Sequence, residues 1–385
     1  MLLYIYIFLF TAVFEIGTII FKFSNTETNN YWIGDKMNID ELDKNLKCYT
    51  KDELLYKEYY FAKKNPDILK NFIDNLDIEY IKNNYIIIPE VEESFSPYFL
   101  DEDYTFNKKK DYNVIALKHY RYTPIFKHKH SFFEMLYVYS GNIEQNIMGN
   151  QISLNEGDIC IIPPGVEHSL GIFNDCVVIN VLIRSTTFND TFLEVLSDEN
   201  ILSSFFTKIL YTKNYNNYII FRTHNSSQIR TFMSNIIIES IDSEQYSNKI
   251  LDNFLMILFA HLLRDKKNSV ELPKELQKST SHLTSILTYI QRNYKTVTLD
   301  DLSKEFHFSV PYLSKLIKAN TGHTFKEMIQ TIKLNKAIEL LTSSDLKILN
   351  ISDTIGYEDP NHFIRTFKKI YGISPNQYRQ KINKT

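Results

Sequence analysis

One stretch near the end of the chain constrains the fold more than any other: between Thr298 and Arg379 the spacing predicts a short helix, a tight turn and a second short helix, twice over. In the first copy Thr298 is followed three residues on by Asp301, a capping signal. Leu302 and Phe306 stand four apart, so both meet a core. After His307 and Phe308, Ser309 caps a second helix that tolerates Pro311 in its first turn. Leu313, Leu316 and Ile317 recur there at helical spacing, which turns Val310, Ser314, Lys315 and Lys318 outward. In the second copy Asn350 with Asp353 repeats the cap, Ile351 and Ile355 repeat the buried pair, and Gly356 supplies the turn. Asp359 then caps, with Pro360 at the favoured first position. Phe363, Phe367 and Ile370 form the buried stripe, Gly372 suits the helix stop, and Asn361, His362, Arg365, Thr366 and Lys369 face solvent or a groove. Ile355 follows Phe306 by 49 residues and Phe363 follows Leu313 by 50, so the copies are in register with one extra residue in the second turn.

Between the copies, Thr324 and Glu327 form another capping box. Phe325, Met328, Ile329, Ile332, Leu334, Ala337, Ile338 and Leu341 are too many apolar positions for one narrow stripe. A helix apolar on two sides packs on two sides, here between the two helical pairs. Its 17 residues from Phe325 to Leu341 hold the pairs about 25 Å apart, and two reading helices on one face suit successive major grooves, which recur about every 34 Å. Charge agrees with a nucleic-acid partner: residues 281–385 carry 15 Lys and Arg against 9 Asp and Glu, a net +6, while the other 280 residues carry 28 against 37, a net −9. A near-neutral whole thus hides a basic module on an acidic body.

The last hundred residues resemble the DNA-binding domain of the AraC family of bacterial transcription regulators. The run from Ile351 to Arg379 holds the pieces G-Y, N-H-F, F-K-K, Y-G-I-S-P and Y-R at that family's spacing, and some ten agreeing positions make a strong signal. Departures are Ser303 and Ser352 where alanine is usual, Lys333 before Leu334 where arginine is common, and His307 at a turn position usually given to glycine. The resemblance implies double-stranded DNA as partner, with Lys315, Lys318, Arg365 and Lys369 as candidates for phosphate or guanine contacts and Ser314, Asn361 and His362 as neutral contacts. It further implies a small-molecule effector, sugars in many relatives, a homodimer, and RNA polymerase as a further partner.

At the other end, Met1 to Phe21 is long enough to cross a bilayer and has Glu15 as its one charge. It lacks the basic start and small-residue cleavage site of a signal peptide, and Glu15 would be costly within a membrane span. Two readings stay open: a translation start at Met37, where M-N-I-D-E-L-D-K opens a polar helical segment, which is favoured, or a membrane anchor. The first places the protein in the cytoplasm, the second tethers it. Cys48, Cys160 and Cys176 are an odd number without metal-site spacing, so a reducing compartment is the default.

From Asn38 to Asn84 the pattern is helical, with Leu54, Leu55, Tyr59, Ile68, Leu69, Phe72 and Ile73 as inward positions and no visible chemistry. The strand-like Tyr85 to Pro89 opens a region of short aromatic and β-branched runs reaching Arg184, read as a small antiparallel barrel. Within it stand His128, His130 and Glu134, then Gly141, Gly157, Pro163, Gly165 and His168. This spacing resembles both halves of the cupin signature. The glycine usual six residues before the first histidine is replaced by Tyr122, and the asparagine usual near the end by Ile172, with Asn174 two residues on. In metal-binding cupins the positions matching His128, His130, Glu134 and His168 are ligands, and three imidazoles with a carboxylate suit Zn, Fe, Mn or Ni. In regulators of the AraC family such residues often line a sensor pocket without metal, so a divalent metal and a metal-free pocket both remain open.

After the barrel come a helix over Phe188–Tyr211, a strand over Tyr218–Arg222, and helices over Ser227–Ile241 and Glu244–Leu263, the last with a broad apolar face that serves the core or a second copy. The polar run Arg264–Ser281 reads as a linker. The fold expected is α+β: an antiparallel cupin-like β-barrel with flanking helices, then an all-α domain with two helix-turn-helix units. Its segments are 1–36 apolar, 37–84 helical extension, 85–184 barrel, 185–263 helical with a candidate dimer face, 264–281 linker and 282–385 DNA-binding. A non-enzymatic regulator is the expected function. A metal-dependent cupin isomerase or oxygenase with a DNA-binding tail, and a membrane-tethered regulator, are the alternatives.

Overall fold

The computed structural model describes residues 37–91, 98–106, 112–185, 187, 217–242, 244–264, 269–271 and 282–382. The apolar stretch at 1–21, the helix expected over 188–211 and most of the expected linker at 264–281 lie outside them. The described residues form two compact units, one of sheets with flanking helices and one of C-terminal helices. Among them no helix is long and apolar enough to cross a membrane.

The first unit opens with helices α1 (Ile39–Lys47), α2 (Lys51–Ala62), α3 (Pro66–Asp74) and α4 (Ile78–Asn84). Asn38 and Thr50 form capping boxes with Glu41 and Glu53, while Asn65 and Asp77 accept from the turns that follow them. Tyr59 is buried, and Leu55, Leu69, Phe72 and Ile73 pack partly against its cluster. Leu54 and Ile68, expected inward, are instead exposed at 49% and 55%. The buried face of α2 is Glu53, Tyr56, Tyr59 and Ala62; it includes a carboxylate that periodicity assigns to solvent, so Leu54 lies off that face. The strand expected at Tyr85–Pro89 does not form. Tyr85 closes α4 at φ 56°, and Ile86 and Ile88 are buried in irregular chain, so their apolar character reflects burial rather than pairing.

The strands are β1 (Phe99–Leu100), β2 (Val114–Lys118), β3 (Lys129–His130), β4 (Phe133–Ser140), β5 (Ile143–Ile147), β6 (Asn150–Leu154), β7 (Ile159–Ile162), β8 (His168–Leu170), β9 (Val177–Ile183), β10 (Ile219–Arg222) and β11 (Ser269–Glu271). A short α5 (Glu102–Thr105) follows β1, and α6 (Ser227–Asp242) and α7 (Ser247–Arg264) follow β10. One sheet runs β11-β10-β7-β4-β9-β2 and the other β6-β5-β8, all antiparallel, while the pair β1-β3 is parallel. One core takes Leu136, Val138, Cys160, Ile162, Val178 and Ile220 from the first sheet and Ile143, Ile147, Ile152, Leu154 and Leu170 from the second, so the two close on each other. The opposite face of β4, with Met135, Tyr137 and Tyr139, is also buried. There Arg230 of α6 lies 4.5 Å from the Tyr139 ring centre and donates to the Tyr139 carbonyl at 3.2 Å.

The second unit contains α8 (His282–Arg292), α9 (Leu299–Phe306), α10 (Val310–Thr321), α11 (Phe325–Ser343), α12 (Ile348–Thr354), α13 (Pro360–Tyr371) and α14 (Pro375–Ile382). It has two cores that share no residue. Ile286, Leu287, Ile290, Val297, Leu302, Leu313, Ile317, Met328 and Ile332 form one, and Leu334, Ala337, Leu341, Ile351, Ile355, Phe363 and Phe367 the other. Helix α11 contributes to both, as a helix apolar on two sides must. The capping boxes Thr298–Asp301 and Thr324–Glu327 form, and Ser309, Asp359 and Gly372 stand at the predicted helix ends.

Two expectations for the second copy are corrected. Helix α12 begins at Ile348, after Lys347, without a side-chain cap, so Asn350 lies inside it; starting earlier lets Ile348 pack on the core with Ile351 and Ile355. In α13, Ile370 is 51% exposed whereas Thr366 is buried at 8%. Tyr378 of α14 packs against Phe367 and Tyr371, which draws the buried stripe to that side and leaves Ile370 uncovered.

The helices α1 and α2 are fixed to the barrel by a buried charge cluster. Glu53 accepts from Lys118 Nζ at 2.7 Å and from Arg121 Nε and Nη2 at 2.8 and 3.0 Å. Arg121 also donates to the carbonyls of Lys47 and Cys48, at 3.2 and 2.8 Å, satisfying the open end of α1. Removing the carboxylate strands two buried cations. Glu53→Ala therefore lowers the unfolding free energy by about 3–5 kcal/mol, measurable by urea denaturation.

Candidate functional site

The two reading helices have matching entries. The turn before α10 places His307 at φ 57°, and its counterpart in the other copy, Gly356, has φ 79°. Both turns need the left-handed region, which glycine enters freely and histidine with strain. Of the residues expected to face a groove on α10, Lys315 and Lys318 are exposed and Val310 and Ser314 half-buried. On α13, Asn361, His362, Arg365 and Lys369 are exposed, but buried Thr366 is removed from the set by the stripe described above.

Arg365 is 75% exposed and leans back on its own helix start, with Nη2 3.7 Å from Asp359 Oδ2 and Nε 3.3 Å from the Asn361 carbonyl. So exposed a pair is worth little, and the guanidinium is available to a ligand. Two further exposed side chains were not anticipated: Tyr312, at 48%, and Lys368. Tyr312 lies in the first turn of α10, the part of a reading helix that meets base edges, and that position was its signal. Arg379, of the Y-R pair, serves the fold: it donates to the carbonyls of Leu341 and Leu346 at 3.3 and 2.7 Å, holding the end of α11.

In the barrel, the backbones of His128 and His168 bond each other in both directions, at 3.0 and 3.1 Å. The Pro163-Pro164-Gly165 corner is pinned by the Gly165 N–H donating to the His130 carbonyl at 2.8 Å. Ligand atoms of His128, Glu134 and His168 all lie within 4.8 Å of one another, and Nε2 of both His130 and His168 is 3.8 Å from Glu134 Oε2. His130 thus reaches the same carboxylate while its ring stacks on Phe132, 4.5 Å between centres. Tyr122 takes φ 64°, so the usual glycine's conformation survives without the glycine, held where Tyr49, Tyr60 and Phe173 surround the ring.

The tautomers follow from the partners. Nδ1 of His130 faces the Phe132 carbonyl at 2.7 Å, that of His168 the Val166 carbonyl at 3.1 Å, and that of His128 the Phe126 carbonyl at 3.5 Å. A carbonyl only accepts, so Nδ1 carries the proton and Nε2 presents a lone pair. Among the described residues, Nε2 of His130 and of His168 has no hydrogen-bond partner. Lone pairs therefore converge on a buried carboxylate that also only accepts, an arrangement that calls for a cation. A proton is one answer. Burial would raise the Glu134 carboxyl, but its attraction to His168, then His130 and His128, outweighs this and brings it down to about 2. Burial lowers the His128 and His130 imidazoles to about 3 and about 4, whereas in His168 the pull of Glu134 overcomes burial and raises it. A divalent metal is the other answer, and the donor set fits one: imidazole nitrogens whose far N–H groups rest on carbonyls, with one carboxylate oxygen.

A helix-turn-helix domain family matches residues 302–381, and a cupin domain family matches residues 116–179. The chain is 26% identical over 260 residues to the uncharacterized HTH-type transcriptional regulator YfiF of Bacillus subtilis, spanning 66% of this chain and 78% of that one. It is 24% identical over 256 residues to the HTH-type transcriptional activator RhaS of Escherichia fergusonii, spanning 66% and 87%. The solved C-terminal domain of the two-component response regulator yesN from Fusobacterium nucleatum is 38% identical, with 25% of this chain and 94% of that one covered and a TM-score of 0.24. With tandem reading helices matched by one family and an antiparallel barrel by the other, the chain belongs to the AraC family of transcription regulators, a helix-turn-helix DNA-binding domain joined to a cupin-like domain.

Proposed function

We propose that the chain controls transcription by reading two major-groove segments with α10 and α13, and that a small oxygen-rich molecule, sugars included, acts on it through the barrel. The observation that carries the DNA reading is the pair of capped helices built on one shared helix, α11. Lys315, Lys318, Arg365 and Lys369 supply phosphate or guanine contacts, with Val310, Ser314, Asn361 and His362 beside them. The barrel acts as a sensor and not as a catalyst; an effector that binds one arrangement better shifts the population toward it. Arg365→Ala weakens specific binding by about 1–3 kcal/mol, read by titrating a duplex recovered from the protein's own genomic sites. Unchanged affinity would remove Arg365 from the interface.

His128, Glu134 and His168, with His130 at the same carboxylate, would hold a divalent metal. Such an ion supplies open coordination positions for an oxygen ligand. The full chain should take up about one equivalent of Zn2+ or Mn2+ in calorimetry, at least about tenfold more weakly in Glu134→Gln with an unchanged far-UV spectrum. Because Glu134 raises the His168 imidazole and a metal binds only its unprotonated nitrogen, uptake strengthens as pH rises. Equal uptake by the variant would leave the cluster a metal-free sensor, and turnover by the metal-loaded chain would mark an enzyme.

A second copy is the proposed partner of α7. Ile250 and Ile257, seven apart on one face, are 37% and 42% exposed, and a homodimer is what the family resemblance implies. Ile257→Asp should shift the sedimenting species from dimer to monomer. A wild-type monomer would overturn the proposal.

A further inference from the structure

The two cores of the DNA-binding domain meet at a single residue of α11. Ile332 belongs to the first core and Leu334 to the second, and Lys333 lies between them. Its Nζ donates to the Lys295 carbonyl at 3.2 Å and to the Gly356 carbonyl. Lys295 leads into the first helix-turn-helix, two residues before the core residue Val297, and Gly356 is the turn of the second. The ammonium also stands 5.3 Å from the ring centre of Tyr357. These two stretches of chain touch directly: a Cβ on Gly356 would sit 2.9 Å from Lys295 Cβ and 3.0 Å from its Cα and carbonyl oxygen.

A single helix joining two separate cores can bend or twist at the junction between them. A hydrogen-bonded ammonium that holds a backbone carbonyl from each half removes that freedom, as the helix alone does not. We infer that Lys333 is the positioning residue that sets the angle between the two reading helices, and with it the separation of the two DNA contacts. It touches neither base nor phosphate in this role; it acts through α10 and α13. The inference rests on the reading that both helices enter DNA. Arginine at this position would supply the same donors in a planar fork, while methionine would fill the space of the stem and donate nothing.

The test is selection by the full chain from a pool of duplexes with about 30 random base pairs, long enough for two successive major grooves. The wild type should recover two short motifs at one separation. Lys333→Met and Lys333→Ala should recover the same two motifs at several separations, and Lys333→Arg should restore the single one. On the wild-type duplex, with about one molecule in ten then holding the required angle, affinity of the methionine variant should fall about tenfold, while binding to either motif alone stays unchanged. A single separation kept by Lys333→Met overturns the inference. Loss of the wild-type far-UV spectrum in both variants overturns it too, because the residue would then be a support of the fold. Recovery of one motif only by the wild type is the distinct outcome in which the two-helix reading itself fails and takes the inference with it.

Discussion

The C-terminal domain depends on one helix being buried on two sides. Met328 and Ile332 of α11 complete the first core, and Leu334, Ala337 and Leu341 complete the second. Either half alone has a handful of buried side chains, fewer than a small domain needs to offset the entropy of ordering its chain. Stability and geometry therefore come from the same element. The helix that makes each half foldable also carries the two reading helices at a set distance, and the contacts of Lys333 and Arg379 with backbone carbonyls close its middle and its end. A reading device of this kind has its spacing built into its core.

The barrel answers a different constraint. Its interior carries polar groups where His128, His130, Glu134 and His168 converge and at Gln145 on β5, and buried polar groups of that sort are retained only when satisfied or when they hold something. Here the backbone satisfies one nitrogen of each ring and leaves the other directed inward. A second buried polar cluster lies on the same stretch of chain: Lys118 and Arg121 bind Glu53, and His128 and His130 follow within nine residues of Arg121. The segment that carries the ligand candidates is thus the one that anchors α1 and α2. Movement at one cluster has a covalent path of a few residues to the other.

The sequence disclosed whatever depends on neighbours a few residues apart. Capping at Thr298, Ser309, Thr324 and Asp359, the stop at Gly372 and the two-sided character of α11 all depend on local chemistry or period, and the structure contains each of them. What it withheld depends on partners far away along the chain. Glu53 reads as a surface charge until Lys118 and Arg121 arrive from 65 and 68 residues on. Thr366 and Ile370 exchange roles because Tyr378 covers one side of α13. Ile86 and Ile88 have the composition of a strand and pair with no strand among the described residues. Tyr122 and His307 show the converse, a left-handed backbone kept without the glycine that would have announced it.

Joint reading of DNA by two helices on one shared frame is measured most directly by a genome-wide map of occupancy by the natively expressed protein, refined by footprinting at the sites found. Discrete sites, each with two protected segments on one face of the duplex about one helical turn apart, are the expected result. Occupancy without sequence preference, or sites with one protected segment, would contradict it.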